Sequence, residues 1–339
     1  MKKSNWEGKN GPLLIAEVGG NHEGDFEYAK KLTELAIESG ADFVKFQLYS
    51  GDTLVSRIES PQRNKHFQKF ELGRDKYIEL AEMCKANKVG FMASVWDPDY
   101  VSWIDDYMPI YKIGSGDLTA YPLLRKFANL RKPIILSTGL ANTQDVKGAV
   151  EFIQQENEIY KSPEYLSLLQ CTSMYPIPFE DANLEVMKSF SETFGLPVGY
   201  SDHTEGYFAL LVAVAMGAQI LEFHFTDTRE NKEFRDHKVS LTKDEVKDLI
   251  EQIKDIAKLK GSPEKRPLEI EGDHPTTFRR AVYPKKDLKK GTVIKEEDIT
   301  VLRPNHGIDA REYYNLIGKK LVRDVLEHQK LSWDLFEDQ

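Results

Sequence analysis

The sequence predicts a (β/α)₈ barrel followed by a small C-terminal module of short strands. Three observations carry that prediction. Eight short apolar runs alternate with helical patterns through about residue 260. About 250 residues for eight strand–helix units is the usual size of such a barrel. Beyond Gly261 the alternation stops and a pattern of short strands and turns replaces it.

The runs are Leu13–Val18, Phe43–Gln47, Gly90–Val95, Ile110–Ile113, Pro133–Ser137, Leu166–Cys171, Pro197–Ser201 and Gln219–His224. Each is short and largely apolar, which is how a strand buried on both faces reads. Between and after them the helical segments are Glu27–Glu38, Tyr77–Asn87, Pro98–Asp106, Thr119–Ala128, Thr143–Gln155, Asn183–Thr193, Tyr207–Met216 and Lys243–Leu259. Tyr207–Met216 is apolar almost throughout and reads as a buried helix closed by Gly217. Residues 50–73 form a polar insertion after the second strand. It is long for a βα loop and reads as a lid or a contact. Gly261-Ser-Pro-Glu-Lys-Arg-Pro267 has linker composition. The barrel is therefore placed at residues 1–262, the linker at 263–277 and the module at 278–339. Strands are expected in the module around Arg280–Pro284, Asp287–Ile294, Ile299–Pro304 and Leu321–Val325. About 60 residues is small for independent stability, so the module is expected to dock on the barrel or on a second subunit.

Composition excludes some functions. The chain has 339 residues and a formal net charge of −9. An acidic balance argues against nucleic acid as a partner, because phosphate backbones demand dense Lys/Arg patches. It leaves room for a local basic pocket that holds a small anion. No apolar run approaches the roughly 20 residues that span a bilayer, so no membrane association is expected. The start, Met1-Lys-Lys-Ser-Asn-Trp-Glu-Gly8, lacks the apolar core of a signal peptide. Cys84 and Cys171 are the only cysteines. A disulfide framework is not expected, and a reducing cytoplasm fits.

A barrel carries its site at the carboxyl ends of its strands. The first run ends in Glu17, with Asn21 and His22 beyond. The second supplies Lys45 and Gln47, the third Ser94 and Trp96, and the fourth Lys112, Ser115 and Asp117. Ser137 and Thr138 follow the fifth; Thr172, Ser173 and Tyr175 follow the sixth. Ser201, Asp202 and His203 end the seventh, and His224 and Thr226 the eighth. Lys45 and Lys112 point to an anion. With the hydroxyls of Ser94, Ser115, Ser137 and Ser201 they make a phosphate cradle. The turns Ile113-Gly-Ser-Gly-Asp117 and Leu136-Ser-Thr-Gly-Leu140 add backbone donors. His203 and His224 end consecutive parallel strands, so both imidazoles can reach one metal ion. Two nitrogen ligands with open positions suit Mn²⁺, Mg²⁺, Co²⁺ or Zn²⁺. Glu17 and Asp236 are candidates for proton transfer or for sugar hydroxyls.

Plainer readings stand beside these. His22 and His237 read as hydrogen-bonded structural residues, Lys45 as an ordinary ion-pair partner and Cys171 as a small core residue. Asp202 either orients His203 or caps the following helix. Tyr175 and Trp96 either pack at the barrel mouth or touch a ligand.

Several segments resemble the sialic acid synthase family. They are Ile15-Ala-Glu-Val-Gly-Gly-Asn-His22, Ala41-Asp-Phe-Val-Lys-Phe-Gln47, Tyr111-Lys-Ile-Gly-Ser-Gly-Asp117, Ile135-Leu-Ser-Thr-Gly139, Gln170-Cys-Thr-Ser-Met-Tyr-Pro176, Val198-Gly-Tyr-Ser-Asp-His-Thr204 and Glu222-Phe-His-Phe-Thr226. The tail resembles that family's antifreeze-like (SAF) domain through Phe278-Arg-Arg-Ala-Val282, Asp287-Leu-Lys-Lys-Gly291, Glu296-Glu-Asp-Ile-Thr300 and Arg303-Pro-Asn-His-Gly-Ile308. The resemblance implies a barrel with a SAF domain, assembled as a domain-swapped homodimer. It implies condensation of phosphoenolpyruvate with N-acetylmannosamine or a related acylamino hexose, giving a nonulosonic acid and phosphate. It also implies a divalent cation, Mn²⁺ or Mg²⁺. Lys45, Ser94, Lys112, Ser115, Ser137 and Ser201 fall on the family's phosphoenolpyruvate positions, and His203 and His224 on its metal ligands. Glu17, Gln47, Tyr175 and Asp236 fall near the sugar and the reacting carbons. Arg303 falls on the tail arginine that reaches the acyl group from the partner subunit. Glu17 or Asp117 carries the proton.

The chain departs from the family at several positions. Asp117 stands where many bacterial members have Glu, and Ser173 where some have Asn. Glu233-Phe-Arg-Asp236 replaces the usual Gly-Pro-Asp. Asn305 replaces a glycine, and Phe223 a commoner Arg. These changes leave the metal and phosphate positions intact and leave the sugar open. Two alternatives remain at this stage. One is another phosphoenolpyruvate–aldose condensing enzyme making a different 2-keto acid. The other is a non-catalytic carbohydrate-binding barrel.

Overall fold

The computed structural model describes residues 4–337, so Met1–Lys3 of the signal-peptide reading and the last two residues of the tail lie outside the described residues. Those residues divide into two compact units, one ending at Gly261 and the other beginning at Ser262.

The first unit is the predicted barrel. Its parallel strands are β1 (Gly11–Glu17), β2 (Phe43–Leu48), β3 (Gly90–Val95), β4 (Tyr111–Ile113), β5 (Ile134–Ser137), β6 (Leu166–Cys171), β7 (Val198–Asp202) and β8 (Ile220–His224). Neighbours pair in chain order, and β8 pairs with β1 from Leu13↔Ile220 to Glu17↔His224. The ring closes and no barrel strand is left with an open edge.

The period of two along each strand decides what faces the interior. Leu13 and Ile15, Phe43, Met92, Ile110, Ile135, Leu169 and Ile220 make one buried interior cluster at the amino end, with Trp6 packed among them. Two residues further along the same faces stand Glu17, Lys45, Ser94, Lys112, Ser137, Cys171 and Glu222. Each inward row thus changes from apolar to polar within one step of the pleat. The outward rows, including Leu14, Ala16, Val44, Phe46, Leu136, Leu168 and Leu221, pack against the helices in a separate core. Each such large side chain contributes roughly 1.5–3 kcal/mol by leaving water. Gly199 takes the inward place on β7 because a Cβ there would lie 2.2 Å from the Ile220 carbonyl oxygen.

Most helices start and stop where capping chemistry allows. Asp25 caps Phe26–Ser39, which ends on left-handed Gly40. Capping boxes at Asn142/Asp145 and Thr242/Glu245 open Thr143–Glu156 and Lys243–Lys260. Two expectations need correcting. Residues 98–106 do not form one helix: they break into 3₁₀ turns around a single turn of helix at Val101–Ile104. Asp97 accepts the Asp99 amide at 3.0 Å and so caps the first of these turns. The helix between β7 and β8, Phe208–Ala215, is not buried all round. Ala209, Leu210, Ala213 and Val214 face the core, while Phe208 is 62% exposed. A helix on the outer ring has one face toward the sheet, whatever its composition.

The insertion after β2 is ordered. Helices Gly51–Leu54 and Pro61–Phe70 fold against each other around buried Asn64. The Asn64 amide donates to the carbonyls of Gly51 at 2.9 Å and Val55 at 2.8 Å. The Gly51 amide donates to Glu71 at 2.6 Å.

In the second unit, β9 (Ala281–Pro284) and β10 (Ile299–Leu302) pair antiparallel over a core of Val282, Leu288, Ile294, Ile299, Leu316, Leu331 and neighbours. The stretches 287–294 and 321–325 do not form strands as expected; they meet through one isolated bridge, Leu288↔Val325, with a second just before the later stretch, Val293↔Lys320. Kinked segments that touch at single residues suit so small a core. Residues 262–277 fall within this unit and carry a short helix, His274–Thr277, whose Thr276 carbonyl accepts the Asn305 amide at 2.8 Å. No helix among the described residues is long and apolar enough to cross a membrane.

Asn64→Ala removes the link that holds the two insertion helices together. It is expected to cost roughly 1–3 kcal/mol and to open residues 50–73 to limited proteolysis ahead of the barrel. An unchanged cleavage pattern and melting temperature would show that Asn64 is not what holds the insertion.

Candidate active site

A cavity of about 880 Å³ opens at the carboxyl end of the barrel. Every residue given a role toward phosphoenolpyruvate, the sugar, the cation or the proton lines it except Arg303. That residue belongs to the second unit, where its exposed guanidinium lies 5.3 Å from the Phe278 ring centre.

The floor is a buried charge cluster. Lys45 Nζ lies 2.5 Å from Glu17 Oε2 and 3.9 Å from Glu222 Oε2. Lys112 Nζ lies 3.6 Å from Glu222 Oε1 and donates to Ser137 Oγ at 2.6 Å. Gln47 donates to the second Glu17 oxygen at 2.8 Å, and Ser201 donates to Glu222 at 3.0 Å. Strand register makes this possible, since Glu17 stands level with Lys45 and with His224, and Ser201 level with Glu222. Burial alone would neutralise these groups. For Lys45 the attraction of Glu17 and Glu222 outweighs burial, and its pKa rises. Burial wins at Lys112 and lowers its pKa, although Glu222 opposes it. At Glu222 burial is overcome by Lys112 and Lys45, which hold the carboxyl well below the usual range. Glu222 Oε2 has no hydrogen-bond partner, so one carboxylate oxygen of the floor still has an open lone pair.

Asp117 sits above Lys112 in the turn after β4. Burial pushes its pKa up to about 6, against the pull of Lys112 and the Trp96 indole N–H. A carboxyl that titrates near neutrality is suited to proton transfer. On the next turn the Gly139 amide donates to Ser115 Oγ at 3.0 Å. A Cβ at Gly139 would stand 2.3 Å from Ser173 Oγ and 2.8 Å from Ser115 Oγ, so any side chain there would push both hydroxyls aside.

His203 and His224 face each other with ring centres 5.4 Å apart. Burial lowers both pKa values, so both rings are neutral and offer lone pairs. His203 Nδ1 donates to the Thr172 carbonyl at 2.7 Å, which fixes its tautomer and frees Nε2. His224 Nδ1 is buried with no partner. Among the described residues no three His, Cys, Asp or Glu side chains cluster as a metal site. Two neutral imidazoles would suit a cation whose other positions were filled by water and substrate oxygens. Tyr175 packs 3.9 Å from the His203 ring centre and 5.4 Å from that of His224. Beside it, Asp236 Oδ1 accepts from Arg235 Nε at 2.8 Å.

Other expectations resolve here. His22 and His237 do not line the cavity. His22 Nδ1 accepts the Gly24 amide at 3.1 Å, and His237 Nδ1 faces Thr226 Oγ1 at 2.7 Å. Asp202 closes a turn, accepting the Thr204 amide at 2.8 Å, and caps no helix. Cys171 is more than core filling, because it lines the cavity with Sγ 3.9 Å from His203 Nδ1. Glu222 was missed. Its signal was present: it stands two residues after inward Ile220 and two before inward His224. Arg63, His66 and Phe67 also line the cavity, from the insertion. Nothing in the sequence marked them, because their place depends on how the insertion folds back.

Residues 32–265 match the NeuB family and residues 279–337 the SAF domain. The chain belongs to the NeuB family. The N,N'-diacetyllegionaminic acid synthase of Campylobacter jejuni is 38% identical over 330 residues, covering 94% of this chain and 98% of that protein. The human N-acetylneuraminate-9-phosphate synthase is 31% identical over 348 residues, covering 98% and 95%. Among solved structures, the N-acetylneuraminic acid (sialic acid) synthetase of Leptospira borgpetersenii serovar Hardjo-bovis superimposes with a TM-score of 0.71 at 29% identity, over 78% of this chain and 90% of that one.

In this NeuB barrel the raised pKa of Asp117 has a consequence for stability. The folded state holds the proton more tightly than the unfolded chain, so stability falls as pH rises from about 4 to about 6 and stays lower above that window. Asp117→Asn is therefore expected to stabilise the ligand-free protein by roughly 1–3 kcal/mol at pH 8 and to leave it unchanged at pH 4. Melting curves at the two pH values check this. Equal shifts at both would contradict the buried, proton-binding carboxyl.

Proposed function

We propose that the protein is a nonulosonic acid synthase. It condenses phosphoenolpyruvate with an open-chain acylamino hexose of the mannosamine type and releases a nine-carbon 2-keto sugar acid and phosphate. The observation that carries this reading is the floor of the cavity: two lysines, buried with two carboxylates beneath a pair of neutral histidines, in a barrel of the NeuB family. The names of the relatives agree with it, since they are synthases of legionaminic, neuraminic and pseudaminic acids.

The enol carbon of phosphoenolpyruvate bonds to the aldehyde carbon of the sugar, and the aldehyde oxygen takes a proton. Positive charge develops at the carbon that bears the phosphate. Water adds there and loses a proton. The bond from that carbon to the bridging oxygen then breaks as the new hydroxyl gives up its remaining proton, phosphate leaves with the oxygen, and a ketone remains. Lys45 and Lys112 hold the phosphate and carboxylate, with Ser94, Ser115, Ser137 and Ser201 as hydroxyl donors. Both Glu17 oxygens are engaged by Lys45 and Gln47, so Asp117 is the better carrier of the proton. Tyr175, Asp236, Ser173 and Trp96 border the sugar. A divalent cation, Mn²⁺ or Mg²⁺, held by His203 and His224, supplies Lewis-acid polarisation of the aldehyde oxygen when bound. We assign Arg303 to the acyl group of a sugar bound in the partner subunit of a domain-swapped homodimer. A cytoplasmic location suits two cysteines that are free and buried.

The test is incubation of the purified protein with phosphoenolpyruvate, Mn²⁺ and a panel of acylamino hexoses. Phosphate release with at least one sugar, and a nine-carbon product by mass, are expected. Absence of release with every sugar would sink the reading, and a different product mass would indicate another condensation. Chelation is expected to stop turnover and added Mn²⁺ to restore it. His224→Ala should lower kcat roughly a hundredfold or more with an unchanged circular dichroism spectrum; near-normal turnover would remove His224 from the site. Arg303→Ala should raise the sugar KM about tenfold and leave the phosphoenolpyruvate KM alone. An unchanged sugar KM would contradict the shared site.

A further inference from the structure

The turn after β1 is engaged on several sides, yet Asn21 and His22 within it do not line the cavity. The insertion and the segment after β8 both meet it. Gly20 lies under Phe234, where a Cβ would stand 3.1 Å from the ring. Phe234 meets Phe70 of the insertion at 5.0 Å and His66 at 6.0 Å between ring centres, which makes an aromatic rim at the cavity mouth. Glu23 Oε1 lies 3.4 Å from His237 Nε2.

The segment after β8 leaves the barrel at Phe225 and returns at Leu241. Those two residues form a parallel bridge. The Leu241 amide donates to the His224 carbonyl at 2.8 Å, and the Thr226 amide to the Leu241 carbonyl at 3.0 Å. The excursion between them carries Asp236 into the cavity. Asp236 Oδ1 is taken by Arg235, and Oδ2 has no partner among the described residues.

Asn21 clamps the neck of this excursion. Both hydrogens of its amide are used there, one on the Phe225 carbonyl at 2.9 Å and one on Ser240 Oγ at 2.8 Å. Ser240 accepts that bond and donates its own hydrogen to the backbone carbonyl of Asp236 at 2.7 Å. Asn21 and Ser240 are buried, so water does not compete for these bonds. The bond to Phe225 by itself would pin the neck. The second bond begins a chain from the end of β1, the strand of Glu17, to the backbone of a buried carboxylate in the cavity.

We propose that Ser240, fixed by Asn21, is a positioning residue that sets the place of the Asp236 carboxylate in the cavity. This rests on the synthase reading for the step that Asp236 serves, and it gives a task to two residues outside the cavity.

The experiment compares the full chain as wild type, Ser240→Ala, Ser240→Cys, Asp236→Ala and the double variant Asp236→Ala/Ser240→Ala. One readout is phosphate release with phosphoenolpyruvate, Mn²⁺ and either N-acetylmannosamine or a 2,4-diacetamido hexose. The other is amide hydrogen exchange of the ligand-free protein, which needs no turnover. Ser240→Ala should raise the sugar KM about tenfold and leave the phosphoenolpyruvate KM unchanged. Ser240→Cys keeps the volume and loses most of the donor strength, so it should behave like Ser240→Ala; should the alanine variant not fold, the cysteine variant carries the same comparison. On the Asp236→Ala background the loss of the hydroxyl should add no more than about twofold, because it acts through a carboxylate already removed. Amides of residues 233–239 should exchange faster in the Ser240 variants, while those of the barrel strands should not. No turnover by wild type would count against the synthase reading, and exchange at residues 233–239 would still decide whether the link holds Asp236. Unchanged exchange there, an unchanged sugar KM, equal losses in both KM values or full additivity with Asp236→Ala would overturn the inference.

Discussion

The structure depends on one constraint: four ionisable side chains, Glu17, Lys45, Lys112 and Glu222, are held out of water inside the barrel. Each would cost several kcal/mol to bury alone. They are tolerated because they neutralise one another and because Gln47, Ser137 and Ser201 satisfy further donors and acceptors. Loss of one member leaves a buried charge without its counterpart. The arrangement is therefore preorganised before any ligand arrives, which is how electrostatic stabilisation acts most strongly on developing charge. It is also poised to exchange partners. A phosphate entering between the lysines competes with Glu222, whose contacts with them are 3.6 and 3.9 Å long.

The barrel explains why the cluster sits where it does. An apolar layer below, with Trp6 among it, keeps water from the amino end. One step of the pleat further along, the same faces become polar. The next step reaches His224 on β8, and the residues after β6 and β7 add Tyr175 and His203. Floor, imidazole pair and aromatic mouth are thus three levels along one axis. Each level has its own character: charged, imidazole and aromatic.

Much of this was legible in the sequence, for physical reasons that also mark its limits. Eight runs flanked by helices define a barrel because the strand period and the helix period differ. The strand-end residues could be named because a barrel always presents them on one face. Asp117, Ser115 and the serine cradle followed from that rule. Glu222 obeyed it as well, yet it was passed over in favour of the histidine two residues on. Cys171 was judged by residue type instead of by its inward position. The insertion resisted for a different reason. Arg63, His66 and Phe67 reach the cavity only because Asn64 folds residues 50–73 back on themselves, and no local pattern announces a long-range return. The tightening of residues 98–107 into 3₁₀ turns on either side of one α-helical turn is not something the period of apolar residues registers. The exposure of Phe208 reflects the position of its helix on the outer ring, which apolar composition concealed.

The most direct test of the account is a crystal structure of the protein with phosphoenolpyruvate and Mn²⁺. The account predicts the ligand on the barrel floor, with phosphate and carboxylate oxygens about 3 Å from Lys45 Nζ and Lys112 Nζ, the serine hydroxyls around the phosphate, and the cation on His203 and His224. Phosphoenolpyruvate bound away from both lysines, with the Lys45–Glu17 and Lys112–Glu222 pairs undisturbed, would contradict it.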